Sequence, residues 1–168
     1  VKTIGEAAFA GCKSITSIVL PNCVTELSKD VFGLCSALKE ATLNDNITSM
    51  PRGVFWDCPN LQKVTIGKSV NNIAEYCFSG CSKLAEVYCM PTKAPKLNSV
   101  AFDNYNPTIY VQEGSYNSYA SAAVWKNFNI VEMGVEKPGD PSDLTYITTS
   151  KSTVEVTKAS SGSYSGDI

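Results

Sequence analysis

The chain of 168 residues contains no histidine, and this absence removes the commonest catalytic groups. Serine–histidine and cysteine–histidine nucleophile pairs cannot form without an imidazole base. The usual zinc hydrolase sites are excluded too, because they draw on histidine ligands. Catalysis would therefore have to rest on carboxylates.

Positive charge is scarce as well. The 14 basic residues include a single arginine, Arg52, and 16 acidic residues outnumber them, which gives a formal net charge of −2. Proteins that bind nucleic acids neutralise phosphates with a concentrated basic patch, and the sequence has none. We expect no nucleic acid partner.

Long apolar runs are also missing. No stretch reaches the roughly 18 apolar residues that a transmembrane helix requires. The residues after Val1 lack the charged, apolar and cleavage regions of a signal peptide. We expect no transmembrane segment in this piece of sequence.

What the sequence does contain is a 23-residue period. Eight columns of like residues follow this count, among them Ile4/Leu27/Met50/Ile73, Phe9/Phe32/Phe55/Phe78, Cys12/Cys35/Cys58/Cys81 and Ile15/Leu38/Leu61/Leu84. Eight columns in one register mean that each segment repeats the same turn of backbone and stacks like residues above one another. The pattern predicts a repeat solenoid whose function lies on its surfaces.

The repeat unit I-x-x-x-x-F-x-x-C-x-x-L-x-x-V-x-L resembles the BspA-like leucine-rich repeats of bacterial surface proteins over residues 1–90. A looser unit, in which Leu97 and Phe102 come one residue late, leads into a stretch that resembles the C-terminal cap of that family, residues 91–133. The resemblance implies a right-handed coil with a parallel sheet, short turns and an α+β cap. It also implies a cell-surface or secreted protein whose export signal was removed.

The composition divides the chain into three parts. We expect a solenoid with its cap over residues 1–133, a linker rich in proline, glycine and charge over 134–143, and a β segment over 144–168 that leads into a following domain. Val1 aligns with Val24 in the middle of a repeat, so we expect a piece of a longer protein. Its unpaired N-terminal edge could accept the tail of a neighbouring molecule by strand addition, which would give self-association.

Six of the seven cysteines fall on core columns, and only Cys23 lies at a loop position. A thiol at such a position acts as a small apolar filler. Stacked strands lie about 4.8 Å apart, so spacing alone does not exclude disulfides, but side chains in one column point in parallel. We expect free buried thiols, with no metal and no cofactor, because Cys-x-x-Cys pairs and histidines are missing.

One helix is predicted, from Ser115 to Phe128. Ser115 can cap it, and Tyr116 and Tyr119 recur at helical spacing. Its aromatic face, with Trp125 and Phe128, is expected to cover the last repeat, because a solenoid needs a cap over its terminal apolar face.

The one carboxylate pair that could serve a hydrolase is Glu40 and Glu86. They stand two strands apart on the outward side of the predicted sheet, about 9.6 Å, near the upper limit for an inverting glycosidase. Lys63 lies between them, and a cation there holds both carboxylates ionised, whereas the mechanism needs one protonated. Cross-strand ion pairing is the favoured role, and we expect no enzyme.

Binding is better supported. Thr42, Lys63, Thr65 and Tyr88 are predicted on the exposed face of the sheet, the surface that solenoids offer to partners. Trp56 stands in a turn column of small residues, where it is either an interface anchor or a shield over Gly33 or Ser79. The leading hypothesis is a non-catalytic adhesion module that binds protein or glycan. The alternative is a structural spacer with no ligand of its own.

Overall fold

The computed structural model describes residues 1–134 and the short segments 147–148 and 154–155. By its contacts the chain divides into two units, Val1–Val135 and Glu136–Ile168. The first unit is a solenoid, as predicted. Its front is a six-stranded parallel sheet in the order β11-β10-β8-β6-β4-β2, made of β2 (Ser17–Val19), β4 (Glu40–Thr42), β6 (Lys63–Ile66), β8 (Glu86–Cys89), β10 (Thr108–Val111) and β11 (Asn129–Glu132).

The back of the solenoid carries shorter strands. One parallel pair and one three-stranded parallel sheet are formed by β1 (Thr3–Ile4) with β3 (Glu26–Leu27), and by β5 (Ser49–Met50), β7 (Asn72–Ile73) and β9 (Lys96–Leu97). Each coil of about 23 residues thus alternates a front strand, a back strand and the turn that contains Phe-x-x-Cys. Side chains that point between the two layers build the core.

The register of the coils follows the sequence period and then shortens at the cap. Ser17, Glu40, Lys63 and Glu86 pair in succession, each 23 residues after the last. Glu86 then pairs with Thr108, and Thr108 with Asn129, steps of 22 and 21 residues. On the back, Ile73 pairs with Leu97, a step of 24, so the late positions of Leu97 and Phe102 are confirmed as one inserted residue.

A ladder of phenylalanine rings runs through the core. Consecutive rings are stacked with centroids 5.5, 5.7, 5.9 and 4.5 Å apart, in the order Phe9, Phe32, Phe55, Phe78 and Phe102. The inner rings are buried, whereas Phe9 in the first coil remains 40 % exposed. The apolar columns therefore form one continuous core that begins fully buried in the second coil.

The cysteine column does more than fill space. The thiols of Cys35, Cys58 and Cys81 each donate to the carbonyl of the phenylalanine 26 residues earlier, with Sγ–O distances of 3.1 Å. A carbonyl oxygen has two lone pairs, so the thiol adds a second partner to a buried acceptor. The sequence interpretation treated these cysteines as fillers only and missed this link between coils.

The free-thiol prediction is confirmed for the five buried cysteines: Cys35, Cys58, Cys77, Cys81 and Cys89. Cys12 is half-buried and Cys23 exposed. Burial raises the pKa of Cys58 and of Cys77 to about 12, since the thiolate loses its hydration. The reactive thiolate is thus disfavoured throughout the core.

The predicted helix over residues 115–128 is wrong in length. The structure has an α-helix at Tyr116–Ala120 and a separate 3-10 helix at Trp125–Asn127. In one α-helix, side chains six residues apart would diverge by about 120°, and Tyr119 and Trp125 could not share a face. The break lets both rings bury edge-on against each other, with centroids 5.3 Å apart.

The cap is anchored by polar contacts that the sequence did not reveal. Tyr119 Oη donates to the Pro91 carbonyl, and Trp125 Nε1 to the Pro95 carbonyl, both at 2.8 Å. Ser115 precedes the helix but makes no capping bond with its side chain. Instead Glu132 Oε1 accepts the free Tyr116 N–H at 2.8 Å. The prediction that Trp125 and Phe128 cover the last repeat is confirmed, because Phe128 packs edge-on against Phe102.

Little can be said of the second unit. Its described strands, β12 (Ile147–Thr148) and β13 (Val154–Glu155), pair antiparallel. Apart from Gly134, the predicted linker over 134–143 and most of the predicted β segment over 144–168 lie outside the described residues. In the described part of the chain no helix has the length and apolar character of a membrane span.

Thiol reactivity tests the coil arrangement directly. In the native protein we expect iodoacetamide to modify Cys23 rapidly and Cys12 more slowly, while the five buried thiols react only after unfolding, since burial both raises their pKa and blocks access. Timed alkylation followed by peptide mass spectrometry measures each site. The same reaction in 6 M guanidinium, roughly the concentration that unfolds most domains, is the control. Native modification of Cys58 at the rate of Cys23 would contradict the fold.

Candidate functional site

The outward side of the front sheet is the candidate site, here called the outer sheet face. Alternate strand residues point to it because successive side chains of a strand lie on opposite sides. Paired neighbours form two columns across the strands: Ser17, Glu40, Lys63, Glu86, Thr108 and Asn129 in the charged column, and Val19, Thr42, Thr65, Tyr88, Tyr110 and Val131 in the apolar column. The four predicted residues Thr42, Lys63, Thr65 and Tyr88 are brought together on this face.

Tyr88 stands at the centre of the outer sheet face. Its ring stacks on that of Tyr110 with centroids 4.7 Å apart and an interplanar angle of 13°. On the side of the preceding strand, Lys63 Nζ lies 4.7 Å from the centroid of the Tyr88 ring. Tyr88 Oη donates to Glu86 Oε2 at 3.1 Å. Desolvation and then the Glu86 carboxylate raise the pKa of Tyr88, so its hydroxyl stays a donor at neutral pH.

The predicted ion pairing of Lys63 with Glu40 and Glu86 is wrong. The ion pairs of the described residues are Lys29–Glu6, Arg52–Asp30 and Lys68–Asp45, and Lys63 is in none of them. Its ammonium lies over the diagonal neighbour Tyr88 instead, within the range of a cation–π contact. The Glu86 carboxylate accepts a hydrogen bond from Tyr88, whose ring occupies the space that Lys63 would cross.

A shallow open depression lies beside this cluster. It is lined by Glu40, Gln62, Lys63, Lys83, Ala85 and Glu86. Lys83 Nζ donates to Asn60 Oδ1 at 2.8 Å, which turns its charge toward the rim. Glu40 is exposed and Glu86 half-buried, so no enclosed cavity surrounds the two carboxylates. The depression is suited to surface contact more than to chemistry on a sequestered substrate.

Trp56, the fifth predicted residue, lies elsewhere. It is in the turn between β5 and β6, where its backbone carbonyl accepts the Leu34 N–H at 2.7 Å. The outer sheet face does not include this turn. The sequence interpretation also missed Tyr110, because the shorter step to the cap strand moves it out of the 23-residue count. Aligning the two tyrosines with a step of 22 would have found it.

No metal-ligand cluster appears among residues 1–134: no three histidine, cysteine, aspartate or glutamate side chains gather there. The site is an open, rigid sheet surface on a parallel β-solenoid of about six coils. These features define a leucine-rich-repeat module.

Residues 2–130 match the family model for the BspA type leucine rich repeat region in six copies. The chain therefore belongs to the BspA-type leucine-rich repeat family. The sequence analysis recognised four of these copies and a looser fifth. The sixth lies in the cap, whose strands β10 and β11 extend the same sheet.

Two solved structures are similar to the chain. A leucine rich cell surface protein from Faecalibacterium prausnitzii A2-165 is 25% identical, with a TM-score of 0.56 over 73% of this chain and 33% of that one. A leucine-rich repeat protein from Eubacterium ventriosum ATCC 27560 is 22% identical, with a TM-score of 0.49 over 83% of this chain and 36% of that one. The chain thus spans about a third of the length of each. No curated protein matches it.

A double-mutant cycle tests the Lys63 geometry. We expect Lys63→Ala and Tyr88→Ala to be coupled by about 0.5 to 1 kcal/mol in the free energy of unfolding, the size of an exposed cation–π contact. The cycle of Lys63→Ala with Glu40→Ala is the control and should give a coupling near zero. Urea unfolding of the single and double variants measures both. A larger coupling of Lys63 to Glu40 than to Tyr88 would restore the ion-pair interpretation.

Proposed function

We propose that this chain is a non-catalytic binding module of a bacterial surface protein and presents its outer sheet face to a protein partner. The observation that carries the proposal is the apolar column Val19, Thr42, Thr65, Tyr88, Tyr110 and Val131, which crosses all six front strands beside a charged column. Apolar and aromatic side chains next to polar ones are the composition of protein-binding surfaces.

The size of the face is adequate for such a role. Six strands spaced about 4.8 Å apart span about 24 Å between the outermost strands. That width approaches the dimensions of a standard interface of about 800 Å² per partner. The face is also rigid, because the buried Phe ladder and the ladder hydrogen bonds hold its strands, so little ordering cost accompanies binding.

The geometry of Tyr88 favours a protein over a glycan. Sugar rings stack on aromatic side chains that offer an open face. Here Tyr110 covers one face of the Tyr88 ring and Lys63 the other, each at 4.7 Å. Only the edge and hydroxyl of Tyr88 meet a ligand, which suits hydrogen bonds and side-chain packing from a protein.

The proposed location is the bacterial cell surface. Its support is the family and the similar protein from Faecalibacterium prausnitzii, which is described as a leucine rich cell surface protein. An open face without an enclosed cavity also fits a surface module better than an enzyme.

Attachment to epithelial cell layers tests the proposal. Beads that carry the chain should attach, and the combined change Thr42→Ala, Lys63→Ala, Thr65→Ala and Tyr88→Ala should reduce attachment at least about tenfold, as loss of interface anchors does. The matched control changes the same residue types elsewhere: Thr3→Ala, Lys13→Ala, Thr25→Ala and Tyr116→Ala. Circular dichroism checks that both variants fold.

The outcomes separate the alternatives. Protease treatment of the cells should abolish attachment, and glycosidase treatment should leave it. Sensitivity to glycosidase alone would identify a glycan partner and contradict the choice of a protein. Equal attachment of the variant and the control would leave the spacer role as the better account of this module.

A further inference from the structure

A second surface lies along the turns that carry Phe-x-x-Cys. Two backbone positions in each of the first four turns adopt left-handed conformations, with φ between 52° and 78°. The first position is occupied by Ala7, Asp30, Gly53 and Tyr76, and the second by Gly11, Leu34, Asp57 and Gly80. The turn geometry is therefore common to the coils, whereas the residues that adopt it differ.

Leu34 and Tyr76 are the unfavourable choices at these positions. Glycine adopts a left-handed backbone freely and aspartate tolerates it, but a bulky side chain with a Cβ pays a steric cost. Neither residue regains this cost by burial, because Leu34 is 44 % and Tyr76 41 % exposed. Gly53 and Gly80 serve the same positions in other coils, so the fold does not require either side chain.

Trp56 lies with them on what we call the turn ridge: Leu34, Arg52, Trp56 and Tyr76. Its ring is 43 % exposed, and its Cε3 atom lies 3.8 Å from where a Cβ on Gly33 would stand. The absence of a side chain at Gly33 thus lets the indole lie against the backbone of the preceding coil. The shield interpretation of Trp56 is correct in part, but the outer part of the ring stays open.

The charges on the turn ridge identify the occupant. Arg52 is already engaged, with its guanidinium 5.4 Å from the Tyr76 ring centroid and Nη1 3.8 Å from Asp30 Oδ2. Two neighbouring carboxylates, Asp57 and Glu75, belong to none of the ion pairs formed among the described residues. The uncompensated charge beside Trp56 is therefore negative.

We propose that the turn ridge binds a basic segment of another protein, with a lysine or arginine side chain over the open part of Trp56. An indole face is the strongest aromatic acceptor for a cation, and the Asp57 and Glu75 carboxylates add attraction of the same sign. Tryptophan, tyrosine and arginine are also the residue types that dominate protein interfaces. The turn ridge is separate from the outer sheet face, so either surface can fail its test without affecting the other.

The two tryptophans make the test specific, because Trp125 is buried and Trp56 is exposed. In 15N-labelled chain, we expect a decapeptide of alternating lysine and serine to shift the indole N–H signal of Trp56 saturably and to leave that of Trp125 unchanged. The same peptide with glutamate in place of lysine should shift neither. Raising the salt concentration should weaken the lysine peptide's binding, since its charge contacts are solvent-exposed.

Variants distinguish binding from folding. Trp56→Ala should weaken the lysine peptide at least about tenfold. Leu34→Gly and Tyr76→Gly should each weaken it while the melting temperature stays equal to or above that of the parent, because glycine relieves the left-handed strain. Tyr116→Ala, an exposed tyrosine on the cap, is the matched control and should bind as the parent does.

Four results would overturn the proposal. These are no shift of the Trp56 indole with the lysine peptide, an equal shift with the glutamate peptide, parental affinity in both glycine variants, or saturable binding of a chitin tetramer at Trp56 in place of the basic peptide. The last result would assign the turn ridge to a glycan.

Discussion

The stacking of each coil on the next in a fixed register is the constraint on which the rest of the structure depends. The Phe rings of consecutive coils lie 4.5 to 5.9 Å apart, and cysteine thiols reach back to the Phe carbonyls of the preceding coil. A slip of one residue would turn every inward side chain of a coil outward. The register thus decides at once which residues form the core and which are presented to partners.

The cap follows from the same constraint. A solenoid that simply stopped would leave an apolar face and a strand edge in water. Here the last two front strands continue the sheet with shorter steps, and Tyr119 and Trp125 close the core between them. Each ring is held by a hydrogen bond to a backbone carbonyl of the Pro91–Pro95 segment. A short, broken helix suffices, because its role is to place two rings.

Much of this could be predicted from the sequence, since inward positions repeat and burial tolerates few substitutions. The columns of Phe32, Phe55 and Cys58 are visible because each has an equivalent in the next coil. Contacts that depend on where a flexible side chain turns were not predictable: Lys63 faces two carboxylates in the pairing scheme yet lies over Tyr88. Features that occur once, such as the helix break before Trp125, leave no period to detect. Tyr110 was missed for a related reason, the change of step at the cap.

The two candidate surfaces differ in how they arise. The outer sheet face is a direct product of the repeat, whereas the turn ridge depends on bulky residues where other coils have glycine. Both assume that the coils are held together by the bonds between them. Amide hydrogen exchange measured by NMR tests this most directly, through the Phe32, Phe55 and Phe78 amides that donate to the following coil. The account predicts that these three exchange only through global unfolding, while the Phe9 amide of the first coil exchanges faster. Exchange of the Phe55 amide as fast as that of an exposed loop would contradict it.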